Sequence, residues 1–227
     1  MRFRNFLFFL FLSFGPGAAA QTVVAGSEVT ILSPDKNLSA RFYQKEINAG
    51  KRAMYYQVSY KGKPVINESE LDLQLDNNLS ERAMALKVDK HKKWFENLVI
   101  SKIINSSKDT TWTPVTGERS SIRDNYNAVT IQAVKDDNPI YPVHIELRAY
   151  NEGAALRYFF PENEKGTYYR IMSENTEFSL PEGTRAWHTS WGQAPYNLLP
   201  LRNWPDESER PLTLELPNGL VACLADA

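Results

Sequence analysis

The chain has 227 residues, 26 Lys and Arg against 27 Asp and Glu, and a formal net charge of −1. That balance excludes a strongly basic nucleic-acid binder, and with 42% hydrophobic and 12% aromatic residues the composition is that of a folded domain, not a disordered segment. The length suits one large β domain or two small ones.

The first twenty residues stand apart. Arg2 and Arg4 precede an apolar run from Phe6 to Phe14, and Gly15-Pro16-Gly17 then leads to Ala18, Ala19 and Ala20. This pattern reads as a secretory signal peptide cut after Ala20, leaving a mature domain at 21–227 with no membrane span. Cys223 is the sole cysteine, so the domain has no internal disulfide, and its thiol is expected to pack in the core. Sequons at Asn37, Asn67, Asn78 and Asn105 matter only in a secretory eukaryote.

From residue 22 onward the hydrophobic period is two, broken by turn residues, which predicts an antiparallel β protein. Val29 and Ile31 mark a first strand, Ser33-Pro34-Asp35 a turn, and Leu38, Ala40 and Phe42 a second strand. Tyr56, Val58 and Tyr60 share a face before Gly62, a position suited to positive φ, and Leu71, Leu73 and Leu75 group next. Leu79 to Asn97 has good helix formers with irregular apolar spacing and reads as loop or short helix. The clearest hairpin turns at Asn151-Glu152-Gly153, with Val143, Ile145, Leu147 and Ala149 on one side and Leu156, Tyr158 and Phe160 on the other. Near the C-terminus, Leu212, Leu214 and Leu216 alternate with polar residues, Asn218-Gly219 turns, and Leu220, Ala222 and Leu224 resume the alternation. No repeat or composition break divides the chain after Gln21, so one domain of two packed sheets is expected.

Two constellations bear on chemistry. His144 and Glu146 sit two apart on a strand and form an acid/base pair only if that face lines a pocket; Arg148 and Tyr150 continue the stripe, which reads as the outer face of a sheet. The segment from Arg185 to Pro211 carries Trp187, Trp191, Tyr196 and Trp204 among Gly, Pro, His, Gln and Asn. Rings beside amide donors are how proteins hold sugars, and core packing under a long loop is the competing account. Asp206, Glu207 and Glu209 form a solvated charge cluster, and no convincing pair of carboxylates for glycoside hydrolysis stands out.

Five segments in order, "SPDKNLSARF", "YYQVSYKGKPVI", "GERSSIRDNYN", "ELRAYNEGAALRYFFPE" and "PLTLELPNGL", resemble the N-terminal domain of glycoside hydrolase family 97, exported bacterial α-glucosidases and α-galactosidases. The resemblance implies an all-β supersandwich of the galactose-mutarotase type, followed in the family by a catalytic (β/α)8 barrel and a small C-terminal β domain. The present sequence would then stop within the passage toward the barrel. It implies a periplasmic or cell-surface location in a Gram-negative bacterium and an α-linked oligosaccharide as substrate. The family's catalytic residues lie on the barrel, so this chain alone is expected to be inactive. What the N-terminal domain lends in relatives is packing against the barrel and a glutamate that ligates the catalytic calcium. The matching stretch "QAPYNLL" aligns Tyr196 with the family's tyrosine and puts Asn197 at the glutamate's place. An amide oxygen can ligate calcium, without the charge or bidentate grip of a carboxylate. The resemblance thus nominates Asn197 for metal contact, and the aromatic segment nominates Trp187, Trp191 and Tyr196 for sugar. A free-standing carbohydrate-binding or mutarotase-like protein is the alternative reading.

Overall fold

A computed structural model of the chain describes residues 20–21, 27–75, 93–135, 138–162, 170–205 and 207–226. The proposed leader up to residue 19, residues 79–92 of the loop-or-helix segment, and Asp206 lie outside the described residues. Strands are numbered in chain order. One four-stranded sheet runs β2 (Glu28–Leu32), β3 (Leu38–Asn48), β4 (Lys51–Tyr60) and β5 (Lys63–Leu71) in spatial order. A five-stranded sheet has the order β1 (Ala20–Gln21), β7 (Leu98–Trp112), β8 (Ile122–Lys135), β9 (Asn138–Tyr150) and β10 (Ala154–Phe159). The third sheet has the order β13 (Asn197–Pro200), β12 (Arg185–His188), β14 (Leu212–Glu215) and β15 (Val221–Leu224), and β6 (Leu73–Leu75) pairs with β11 (Ile171–Glu174). Every described pairing is antiparallel.

The domain is all-β because its sequence alternates, and alternation buries one face of each strand. Phe42, Met54, Tyr56 and Val58 from the β2–β5 sheet meet Ile103, Val129, Ile131, Val143, Ile145 and Leu147 from the five-stranded sheet in one core cluster. Two sheets packed through their apolar faces make a β-sandwich. A smaller core under the third sheet is built on Ala186, Leu214 and Leu216, and the half-buried Val65, Leu180 and Leu224 pack against both clusters.

The predicted hairpins form. Leu156 faces Leu147 and Tyr158 faces Ile145 across β9 and β10, and Leu212 faces Leu224 across β14 and β15. Gly62 and Gly219 take φ of 73° and 83°, the left-handed region where glycine meets no side-chain penalty. At the first turn the Ser33 hydroxyl donates to Asp35, whose carboxylate also accepts the Asn37 N–H. From residue 94 to 97 the chain makes a turn, burying Trp94 and Phe95. Here the Phe95 N–H donates to the buried Asp72 carboxylate at 3.0 Å.

One expectation is corrected. Cys223 is exposed, not packed in the core. Ala222 and Leu224 take the inward positions of β15, so the period of two turns Cys223, with its cross-strand partner Thr213, to the other face.

Candidate functional site

The aromatic segment divides between two environments. In β12, Ala186 and His188 point inward, with Ala186 fully buried and the His188 ring meeting the edge of Trp204 at 5.0 Å. His188 Nε2 lies 3.0 Å from the Glu207 carbonyl oxygen, and Trp204 packs on the smaller core. These two side chains are structural. Trp187 faces the opposite way, 38% exposed, and its indole N–H donates to Glu215 at 3.2 Å. The other oxygen of that carboxylate takes Arg185 at 2.6 Å, so one residue of β14 orients two of β12. Val221 of β15 pairs with Glu215 on the side away from β12 and is 72% exposed.

The β12–β13 connection carries the remaining candidates. Trp191 and Tyr196 are 54% and 61% exposed. The buried Thr189 hydroxyl sits within 3.0 Å of the Trp191 carbonyl and 3.1 Å of the Ala194 carbonyl, while the Ala194 N–H donates back to Trp191 at 2.8 Å. The loop backbone is thereby fixed while its rings remain in solvent. None of the described ring contacts joins Trp187, Trp191 and Tyr196 to one another. Asn197 opens β13, is exposed, and donates its amide N–H to the Pro195 carbonyl at 3.3 Å. Sequence reading missed Glu215 and Arg185 as the supports of Trp187. Their contact is set by the β12–β14 register, which spans thirty residues of chain and has no local signal.

His144 and Glu146 do not pair. Glu146 is bridged by Arg148 at 2.8 Å and by Arg157, whereas the His144 ring lies 5.7 Å from that of Phe159. Burial lowers the His144 pKa. For Glu146, burial alone would raise the pKa, and the hydrogen bonds from both arginines outweigh it, leaving the carboxyl below its ordinary value. Arg148 also lies over the Tyr126 ring at 4.5 Å, and Tyr126 meets Tyr150 at 5.0 Å. The stripe is an interlocked outer surface of the five-stranded sheet.

A family model described as Glycosyl-hydrolase 97 N-terminal matches residues 31–227. The chain belongs to this family. It is 26% identical over 162 residues to a retaining α-galactosidase of Bacteroides thetaiotaomicron, a match covering 71% of this chain and 20% of that protein. Structures of a glycoside hydrolase family 97 enzyme from Pseudoalteromonas sp. strain K8, in complex with panose and with acarbose, superpose with a TM-score of 0.67 at 24% identity, covering 85% of this chain and 27% of theirs. A β-arabinopyranosidase aligns with the same TM-score at 17% identity, over 86% of this chain and 31% of its own. The family 97 N-terminal domain thus spans only about a fifth to a third of the length of these relatives.

The calcium implied by the resemblance can be tested against the residues present. Calcium takes about six to eight oxygen ligands, usually with several carboxylates. Asn197 offers one neutral oxygen, and among the described residues there is no group of three or more His, Cys, Asp or Glu that could hold a metal. Asn197 alone, among the described residues, therefore falls short of the ligand set that calcium takes.

Proposed function

We propose that this chain is the non-catalytic N-terminal domain of an exported α-glycosidase, acting in the periplasm or at the cell surface of a Gram-negative bacterium on an α-linked oligosaccharide. The domain packs against a catalytic (β/α)8 barrel and presents its β12–β13 hairpin toward the barrel's sugar site. What carries this reading is the outward-facing set on the third sheet. Trp187 leaves its ring partly in solvent, and Trp191 and Tyr196 project from a loop whose backbone is pinned by Thr189. Exposed rings on a fixed backbone suit both docking and stacking against sugar C–H faces. The small share of each relative matched here accords with a part of a longer enzyme.

Asn197 is assigned a minor part, a single amide oxygen added to a calcium site whose other ligands come from the barrel. Sugar choice is assigned to the barrel as well, since relatives of similar likeness are named for galactose and for arabinopyranose. Hydrolysis of a glycoside requires two placed carboxyl groups, and Glu146, the half-buried carboxylate of the outer stripe, is held between two arginines. The purified chain is expected to release no nitrophenol from nitrophenyl α-glucoside or α-galactoside, with or without calcium. The Asn197→Glu variant is expected to be equally inactive. Turnover that disappears on substituting a residue of this chain would overturn the accessory role and identify a free-standing enzyme.

A further inference from the structure

We infer that a groove on the outer face of the β2–β5 sheet is a second, non-catalytic binding site for a neutral saccharide. The groove has a volume of about 240 Å³ and lies across the strands, with no residue of the β12–β13 hairpin in its lining. Its origin is legible in the pairing. Between β4 and β5, Tyr56 faces Ser69, Val58 faces Ile66 and Ser59 faces Pro64, so β5 carries an extra residue at each of two successive steps. Bulges of this kind separate an edge strand from its neighbour and often lie beside binding sites. The floor deepens because the outward residues nearby are short: Ser39 pairs with Ser59, and Gly62 follows at the turn.

The lining is chemically mixed. Thr30, Ser39 and Ser59 offer hydroxyls, and Asn67 offers an amide from the bulged stretch. Gln57, which also lines the groove, accepts Arg41 Nη1 on its Oε1 at 3.2 Å and keeps its NH2 group as a donor. Pro64 supplies a small apolar edge, and the Ile66 side chain beneath it is buried in the larger core. Hydroxyl and amide groups beside a small apolar surface match a pyranose, which has a ring of hydroxyls and a C–H face. The charge pattern argues against an anion. Arg41 is the groove's guanidinium, and it is forked onto Glu28 with both bonds at 2.7 Å while its plane lies over Tyr43 at 4.6 Å. Its charge is neutralised before any ligand arrives. The volume is below the ~300–1,000 Å³ of pockets that enclose a drug-sized molecule, so the groove takes one sugar ring of a longer chain and binds it weakly.

The test is a titration of the isotopically labelled full chain with panose, followed by backbone amide shifts. Saturable shifts are expected at Ser39, Gln57, Ser59 and Asn67, with a dissociation constant in the millimolar range. Gln57→Ala should weaken binding about fivefold, the loss of one ordinary hydrogen bond. Ser59→Trp, which fills the groove, should abolish the response there while the amides of Trp191 and Tyr196 keep their positions. Absence of saturable shifts in the groove of the unsubstituted chain would overturn the site. So would shifts confined to the Trp191 and Tyr196 loop, or saturation of the groove by sodium sulfate in place of panose. These outcomes are separable from the activity assay, because groove binding is read without a barrel and without turnover.

Discussion

Individual side chains in this domain are positioned by partners distant in sequence. Trp187 was recognisable as an unusual residue from its neighbours alone, but its orientation depends on Glu215, which also holds Arg185. Glu146 is held by nearer partners, Arg148 two residues on and Arg157 across the hairpin, and these two arginines make stability sensitive to acid. A carboxylate whose folded pKa lies below its unfolded value adds stability that is complete above the unfolded value, here 4.5, and disappears as pH falls through the folded one. Glu146→Gln should therefore melt lower than the parent at pH 7, by roughly 2–4 °C for a contribution of about 1 kcal/mol. The gap should narrow as pH falls below 4.5 and close once the parent's carboxylate has taken up its proton in the folded state. Calorimetric scans of both proteins across that range provide the check, and a gap independent of pH would show that the arginine pairing adds nothing.

Strands with a core face were readable; those without one were not. The β9–β10 hairpin announced itself because Val143, Ile145, Leu147 and Ala149 are all buried, so the inward positions had to be apolar. The outer half of β7 carries no such pattern. Residues 105–112, Asn-Ser-Ser-Lys-Asp-Thr-Thr-Trp, are exposed on both faces, and only the ladder to β8 makes them a strand. The face assignment of β9 has a direct consequence. Leu147→Asp places an unpaired charge where the side chain is 2% exposed, a cost of several kcal/mol against a total stability of roughly 5–15 kcal/mol. It should leave the domain unfolded or nearly so. His144→Ala, three residues away on the outer face, removes only a contact with Phe159 and should cost less than about 1 kcal/mol. Urea melts of the two variants decide the matter, and equal losses would reverse the assigned faces.

At the scale of the whole domain, the two cores are joined. Val65, Leu180 and Leu224 pack against both, and the segment after β11 is tied across them by the Tyr56 hydroxyl donating to the Glu177 carbonyl and the Asn67 N–H donating to Ser179. Shared apolar contacts of this kind couple neighbouring units, so the domain should unfold as one. Trp94 lies in the larger core and Trp204 against the smaller. Tryptophan fluorescence and far-ultraviolet circular dichroism are expected to give coincident urea transitions. Two separated transitions would show that the third sheet folds independently of the sandwich.

The sequence by itself determined the class of the fold, the main hairpins and most of the larger core, because alternation of apolar and polar residues is a local record of which face meets water. It also singled out Trp187, Trp191 and Tyr196, since aromatic residues are conspicuous in an irregular stretch, whereas Asn197 was nominated through the family resemblance alone. Only the tertiary structure decided that Trp204 and His188 turn inward while those three rings stay in solvent, and that Cys223 lies on the outer face of β15. The groove between β2 and β5 belongs to the same category. Its hydroxyls come from three strands and its shape from a slipped register, and both exist only once distant segments have paired.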